Sequence, residues 1–195
     1  MISEEKFYFI KEKYQFYSSW AVWAEQGNKP KSNVGDLSVL DPKKNKNLLK
    51  ILNPNIILVA LNISRGDIKE PLANFHDKSS RATDFKIRYA LKDTPLWGGY
   101  MTDIIKDFEE LISGNVLTYL KKNKEFEIKN INFFRNELVE IGAKKPTLVA
   151  FGNIVYEILN RYLENEFKIL KITHYAHQMS KEIYREEVQN ILSKF

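Results

Sequence analysis

The chain has 195 residues, 44% hydrophobic and 13% aromatic, with 30 basic against 25 acidic side chains and a net charge of +5. That length suits one ordinary domain with its own core, and such a composition excludes a disordered chain. Cysteine is absent, which excludes disulfides, a thiolate nucleophile, thiolate zinc sites and cysteine-held iron–sulfur clusters.

The first predicted element is a helix over Ser3–Tyr17. Ser3 is its cap, Glu4 and Glu5 suit its first turn, and Phe7, Ile10, Tyr14 and Tyr17 form an apolar stripe that Trp20 and Trp23 extend. Gly27–Asn47, rich in Lys, Asn, Pro and Ser, reads as a surface connection. Asn47–Leu52 forms one or two helical turns before Asn53-Pro54. The first strand is Asn55–Leu61, breaking into the polar loop Asn62-Ile63-Ser64-Arg65-Gly66. A helix over Ala82–Lys92 follows, then a Gly98-Gly99 break and a second strand over Tyr100–Ile104.

Val116–Lys122 and Lys129–Ile141 read as helices, the second ending at Gly142, where a C-terminal cap belongs. Pro146 precedes the third strand, Thr147–Phe151. Asn153 is placed to cap the next helix, the fourth strand is Phe167–Thr173, and Ser180 caps the last helix. Strands alternating with helices predict an α/β fold: a three-layer sandwich with a central four-stranded parallel sheet flanked by helices. Residues 1–195 form one domain, with 1–53 a helical extension packed on it.

No apolar run is long enough to cross a membrane, and the N-terminus is too charged for a secretory signal, so a cytoplasmic protein is expected. No GxGxxG or Walker A loop is present, which argues against dinucleotide and P-loop chemistry. Three histidines, His76, His174 and His177, and no cysteine argue against a structural metal. No cofactor is expected. The modest positive charge is compatible with a polyanionic partner such as nucleic acid.

Right-handed crossovers bring the carboxyl ends of parallel strands to one edge, where α/β ligands bind. That edge gathers Asn62 and Ser64, Thr102 and Asp103, Gly152 and Asn153, and His174 and His177. Asn62 can orient a water. Thr102 and Asp103 can hydrogen-bond the edge of a polar ring, and Phe75 can stack on its face. His174 and His177 can donate to a developing anion. Ser64, Arg65 and the helix start at Asn153 can hold phosphate. The same residues also fit plain structural roles: Asn62 as a turn residue, Phe75 as core, Asp103 as a brace of the sheet.

Over Pro54–Phe195 the chain resembles the uracil-DNA glycosylase superfamily. The resemblance rests on Ala60-Leu61-Asn62-Ile63-Ser64 after the first strand and on Ala73-Asn74-Phe75-His76 as its aromatic segment. It rests too on Tyr100-Met101-Thr102-Asp103 at the base-reading strand, and on His174-Tyr175-Ala176-His177-Gln178-Met179-Ser180 after the last strand. Departures are Ala60 for a glycine, Ile63 for a proline and Tyr175-Ala176 for Pro-Ser. Asparagine at position 62 is similar to the mismatch-specific and single-strand-selective branches.

The resemblance implies excision of uracil or another deaminated base from single- or double-stranded DNA, in base-excision repair. The base would be flipped out and its N-glycosidic bond hydrolysed. Asn62 and His174 would be catalytic. Phe75, Thr102, Asp103 and His177 would bind the base, and Ser64, Arg65, Asn153 and Ser180 the DNA backbone. Tyr175 and Gln178 could fill the vacated base position. The alternatives are a non-catalytic nucleic-acid or nucleotide-binding member of the same fold, and a hydrolase or transferase acting on a small nucleoside-like substrate.

Overall fold

A computed structural model describes residues 2–64, 68 and 70–193. Among them, seven α-helices surround a five-stranded mixed sheet: α1 Glu4–Tyr14, β1 Ser18–Trp20, α2 Leu48–Ile51, β2 Asn53–Asn62, α3 Asp84–Leu91, β3 Gly99–Ile105, α4 Ser113–Lys122, α5 Lys124–Glu140, β4 Thr147–Phe151, α6 Asn153–Leu163, β5 Lys168–Ile172 and α7 Lys181–Leu192. The strand order is β1-β3-β2-β4-β5. β2 pairs in parallel with both β3 and β4, and β4 with β5. The α/β class is therefore as expected.

The sheet is not four parallel strands. β1 adds an antiparallel edge to β3, with Ser18 opposite Thr102 and Trp20 opposite Tyr100. The segment expected only to pack on the domain thus supplies a strand of its sheet. All three residues of β1 are buried, so no apolar–polar alternation marks it, and a three-residue strand has no period to read. The Trp20 and Tyr100 rings meet edge-on at 5.0 Å.

Alternation along the longer strands separates two cores. Ile57, Val59, Tyr100, Ile104, Leu148 and Ala150 pack with α1, α4, α5 and α6. Ile56, Leu58, Ala60, Met101, Val149 and Phe151 pack with α3 and α7. The caps follow local chemistry. Ser3 Oγ accepts from the Lys6 amide, and Ser180 Oγ from the Ile183 amide. Gly142 ends α5 with φ +83°, and the Ala143 amide returns to the Leu138 carbonyl. Asn153 does not cap α6; Gly152 holds the cap position, and Asn153 Oδ1 accepts from Lys171 Nζ at 2.9 Å. No helix among the described residues is long and apolar enough to cross a membrane.

Candidate functional site

The carboxyl ends of β2 and β5 open on a cavity of about 730 Å³, within the range of small-molecule sites. Its wall includes Ser64, Asn74, Phe75, Arg81, His174 and Tyr175. Ser64, Phe75 and His174 are thus brought together as expected. Asp103 sits one residue behind the wall, nearly fully buried, and its Oδ2 accepts from Asn74 Nδ2 at 2.8 Å.

Phe75 is held in the left-handed region, with φ +67°, and Leu72 in the same segment has φ +64°. Bulky side chains rarely adopt this conformation, which costs of order 1–3 kcal/mol and needs surrounding structure to enforce it. Here the enforcement comes from the N-terminal segment. The Leu72 amide donates to the Gln15 carbonyl at 2.7 Å, and Ser19 Oγ to the Leu72 carbonyl at 2.8 Å. Asn74 Nδ2 donates to the Tyr17 carbonyl at 3.0 Å, and Trp23 Nε1 to the Phe75 carbonyl at 3.1 Å.

His174 stands two residues beyond the end of β5. Its Nδ1 accepts from the Ala176 amide at 3.1 Å, which places the ring proton on Nε2. Burial pulls its pKa down to about 4, so the ring is a neutral donor at pH 7. Its ring stacks on Tyr175, with centroids 4.4 Å apart and planes at 20°. The Tyr175 phenol is pushed well above its ordinary value by burial, then by Asp84, Asp103, Tyr184 and Asp77. Burial likewise drives Asp103 up to about 7, against the downward pull of Asn74 and Lys106.

Other expected site residues stand elsewhere. Asn62 does not line the cavity; its Nδ2 donates to the carbonyls of Ile63, Phe108 and Glu110 at 2.9–3.1 Å, tying down the loop after β3. Thr102 faces the opposite side of the sheet, because strand neighbours alternate: its Oγ1 donates to Glu137 Oε1 at 2.9 Å. Glu137 is buried there with Lys106 at 2.7 Å. His177 is exposed, and its carbonyl accepts from Lys86 Nζ at 2.8 Å. Asn153 and Ser180 are occupied as described above and are absent from the cavity wall. Arg65 lies outside the described residues.

Reasoning from the sequence gave Asn74 no role of its own, and gave Tyr175 only that of filling a vacated base position, not a place in the cavity wall. Asn74 stands next to Phe75, and Tyr175 is itself a departure from the resembled motif; neither carries a periodicity that marks a site. Lys78, Arg81, Asp77 and Asp84 also line the cavity. Asp84 Oδ2 accepts from the Asp77 amide at 2.7 Å, and Asp77 accepts from the Ser79 amide and hydroxyl, so this turn is self-bonded. Among the described residues no three His, Asp or Glu side chains are placed to hold a metal ion. The wall therefore offers an aromatic face, two imidazoles, His76 and His174, both held neutral by burial, and a polar floor, a combination suited to a flat polar heterocycle. No protein-family model, curated protein or solved structure matches this chain.

Proposed function

We propose that the chain is a divergent member of the uracil-DNA glycosylase superfamily, built as a three-layer α/β sandwich. It takes an unstacked uracil or other deaminated base into the cavity and hydrolyses its N-glycosidic bond. The observation that carries this reading is His174: a neutral imidazole in the cavity wall whose tautomer leaves Nε2–H as the donor.

The C1′–N bond breaks first, and its electron pair leaves with the base. A preorganised donor is strongest where that charge develops, which is the role of His174 Nε2–H. Phe75 supplies a stacking face. Asn74, with Asp103 behind it, meets the polar edge. Water then adds to the cationic C1′, and its proton restores the neutral base. Lys78 and Arg81, in the cavity wall with Ser64, take the phosphate-holding role expected of Asn153 and Ser180, which are absent from that wall.

Asn62 supports a second reading. Its amide hydrogens are spent on loop carbonyls, which favours a base- or nucleotide-binding protein of the same fold that performs no hydrolysis. Labelled oligonucleotides carrying uracil, hypoxanthine or xanthine, followed by alkaline cleavage of abasic sites, separate the two. Excision that falls about 10²–10³-fold in His174→Ala supports the first, since one such donor has that effect. Salt-sensitive DNA binding without excision of any of these bases supports the second.

A further inference from the structure

We propose that Tyr175 is the positioning residue of the site: its ring fixes the plane of the His174 imidazole so that Nε2–H faces the cavity. This rests on the reading of His174 as the donor. The residue is a departure from the resembled motif, and holding the imidazole in plane is a different role from filling a vacated base position.

The geometry has three parts. Tyr175 covers one face of the imidazole at 4.4 Å and 20°. Phe151, the last residue of β4, stands edge-on to both rings, at 6.3 Å from His174 and 5.4 Å from Tyr175. The Ala176 amide reaches Nδ1, and the His177 amide closes the turn on the His174 carbonyl at 2.8 Å. The amide selects the tautomer, but it can do so only in one ring plane. The terminal torsion of histidine is broad and roughly two-fold, so a hydrogen bond alone leaves the ring free to turn about Cβ–Cγ. The tyrosine face removes that freedom. Tyr175 is itself anchored, because it packs on the core cluster that holds Phe151, Val149 and Tyr184.

The phenolic hydroxyl is not needed for this role; the ring is. Tyr175→Phe should therefore leave the imidazole as it is, and Tyr175→Leu should release it. Nitrogen-15 spectra of the histidine rings read the outcome without substrate. The wild-type protein and Tyr175→Phe should show His174 as a single tautomer, with protonated Nε2 and unprotonated Nδ1. In Tyr175→Leu the two nitrogen signals should move toward each other as tautomers mix. The titration should rise from about 4 toward the ordinary value of about 6.5. A folded Tyr175→Leu with an unchanged His174 tautomer overturns the proposal.

Where Tyr175→Leu does not fold, the wild-type protein decides alone. The stack requires upfield ring-current shifts of the His174 carbon-bound protons and cross-relaxation with the Tyr175 ring; their absence overturns it. Failure of base excision would remove the functional reading and leave these signals untouched, so the two failures are distinguishable.

Discussion

At the scale of single residues, the buried His76 and Asp103 and the partly buried His174 set how stability follows pH. His76 is almost wholly buried, with Trp23 tilted against its ring at 5.2 Å. The backbone of Trp20 and Val34 lies near, but neither ring nitrogen closes a hydrogen bond. Burial lowers its pKa from 6.5 to about 4. Between those values the unfolded chain binds the extra proton, so stability is full above about pH 6.5 and is lost on acidification toward pH 4. At about 1.4 kcal/mol per unit the loss is about 3 kcal/mol. His174 acts with the same sign. Asp103 acts with the opposite sign: its pKa is raised from 3.8 to about 7, so its contribution is full below about pH 4 and fades as pH rises through 7. His76→Phe should flatten the acid limb of a urea-midpoint profile between pH 6.5 and 4. Asp103→Asn should steepen that limb, because the opposing proton is removed. An Asp103→Asn profile parallel to wild type would show that the carboxyl is not held neutral by burial.

At the scale of elements, two glycines with the same backbone angle make a controlled comparison. Gly98 and Gly142 both have φ +83°. A Cβ at Gly142 would meet nothing within 4 Å, whereas a Cβ at Gly98 would stand 2.1 Å from the Ile51 carbonyl oxygen. Gly98 also accepts from the Asn53 amide and donates to Ala21, so it sits where β2, β3 and the segment after β1 converge. Gly142→Ala should cost only left-handed strain, about 1–2 kcal/mol, or a few degrees of melting temperature. Gly98→Ala adds a backbone collision that no rotamer relieves, and should cost several times more. Equal melting shifts for the two variants would refute the argument. Both glycines were legible as breaks between periodic segments. So were α5, β4 and α7, whose apolar spacing and caps are local properties. Thr102 was misplaced for a different reason: which neighbour of a strand pair faces the site depends on register, and one residue of register exchanges the faces.

At the scale of the whole molecule, the N-terminal segment is part of the domain and part of its site. The resemblance begins at Pro54, and the sequence before it reads as a helix and a loop because its long-range partners are invisible locally. Gln15, Tyr17, Ser19 and Trp23 reach residues 72–75, more than fifty positions away, and every one of those bonds involves a backbone carbonyl. Backbone acceptors leave no signature in side-chain chemistry, so neither β1 nor the strained wall of the cavity could be read in advance. The energetic consequence is large. Phe7, Ile10, Tyr14 and Trp20 are each at most 1% exposed. At about 1.5–3 kcal/mol per buried side chain they contribute about 6–12 kcal/mol, comparable with the 5–15 kcal/mol that separates most folded domains from unfolded ones. A chain starting at residue 25 should therefore lose its cooperative thermal transition and the dispersed amide spectrum of a packed core. Trp23→Phe is the milder probe. It removes the indole donor to Phe75, at a cost of about 1 kcal/mol, together with part of the ring that packs on His76 and Trp97, and should speed amide exchange around residues 72–76 while leaving β2 and β4 protected. A sharp melt in the truncated chain, or unchanged exchange in Trp23→Phe, would show that the cavity wall stands without this segment.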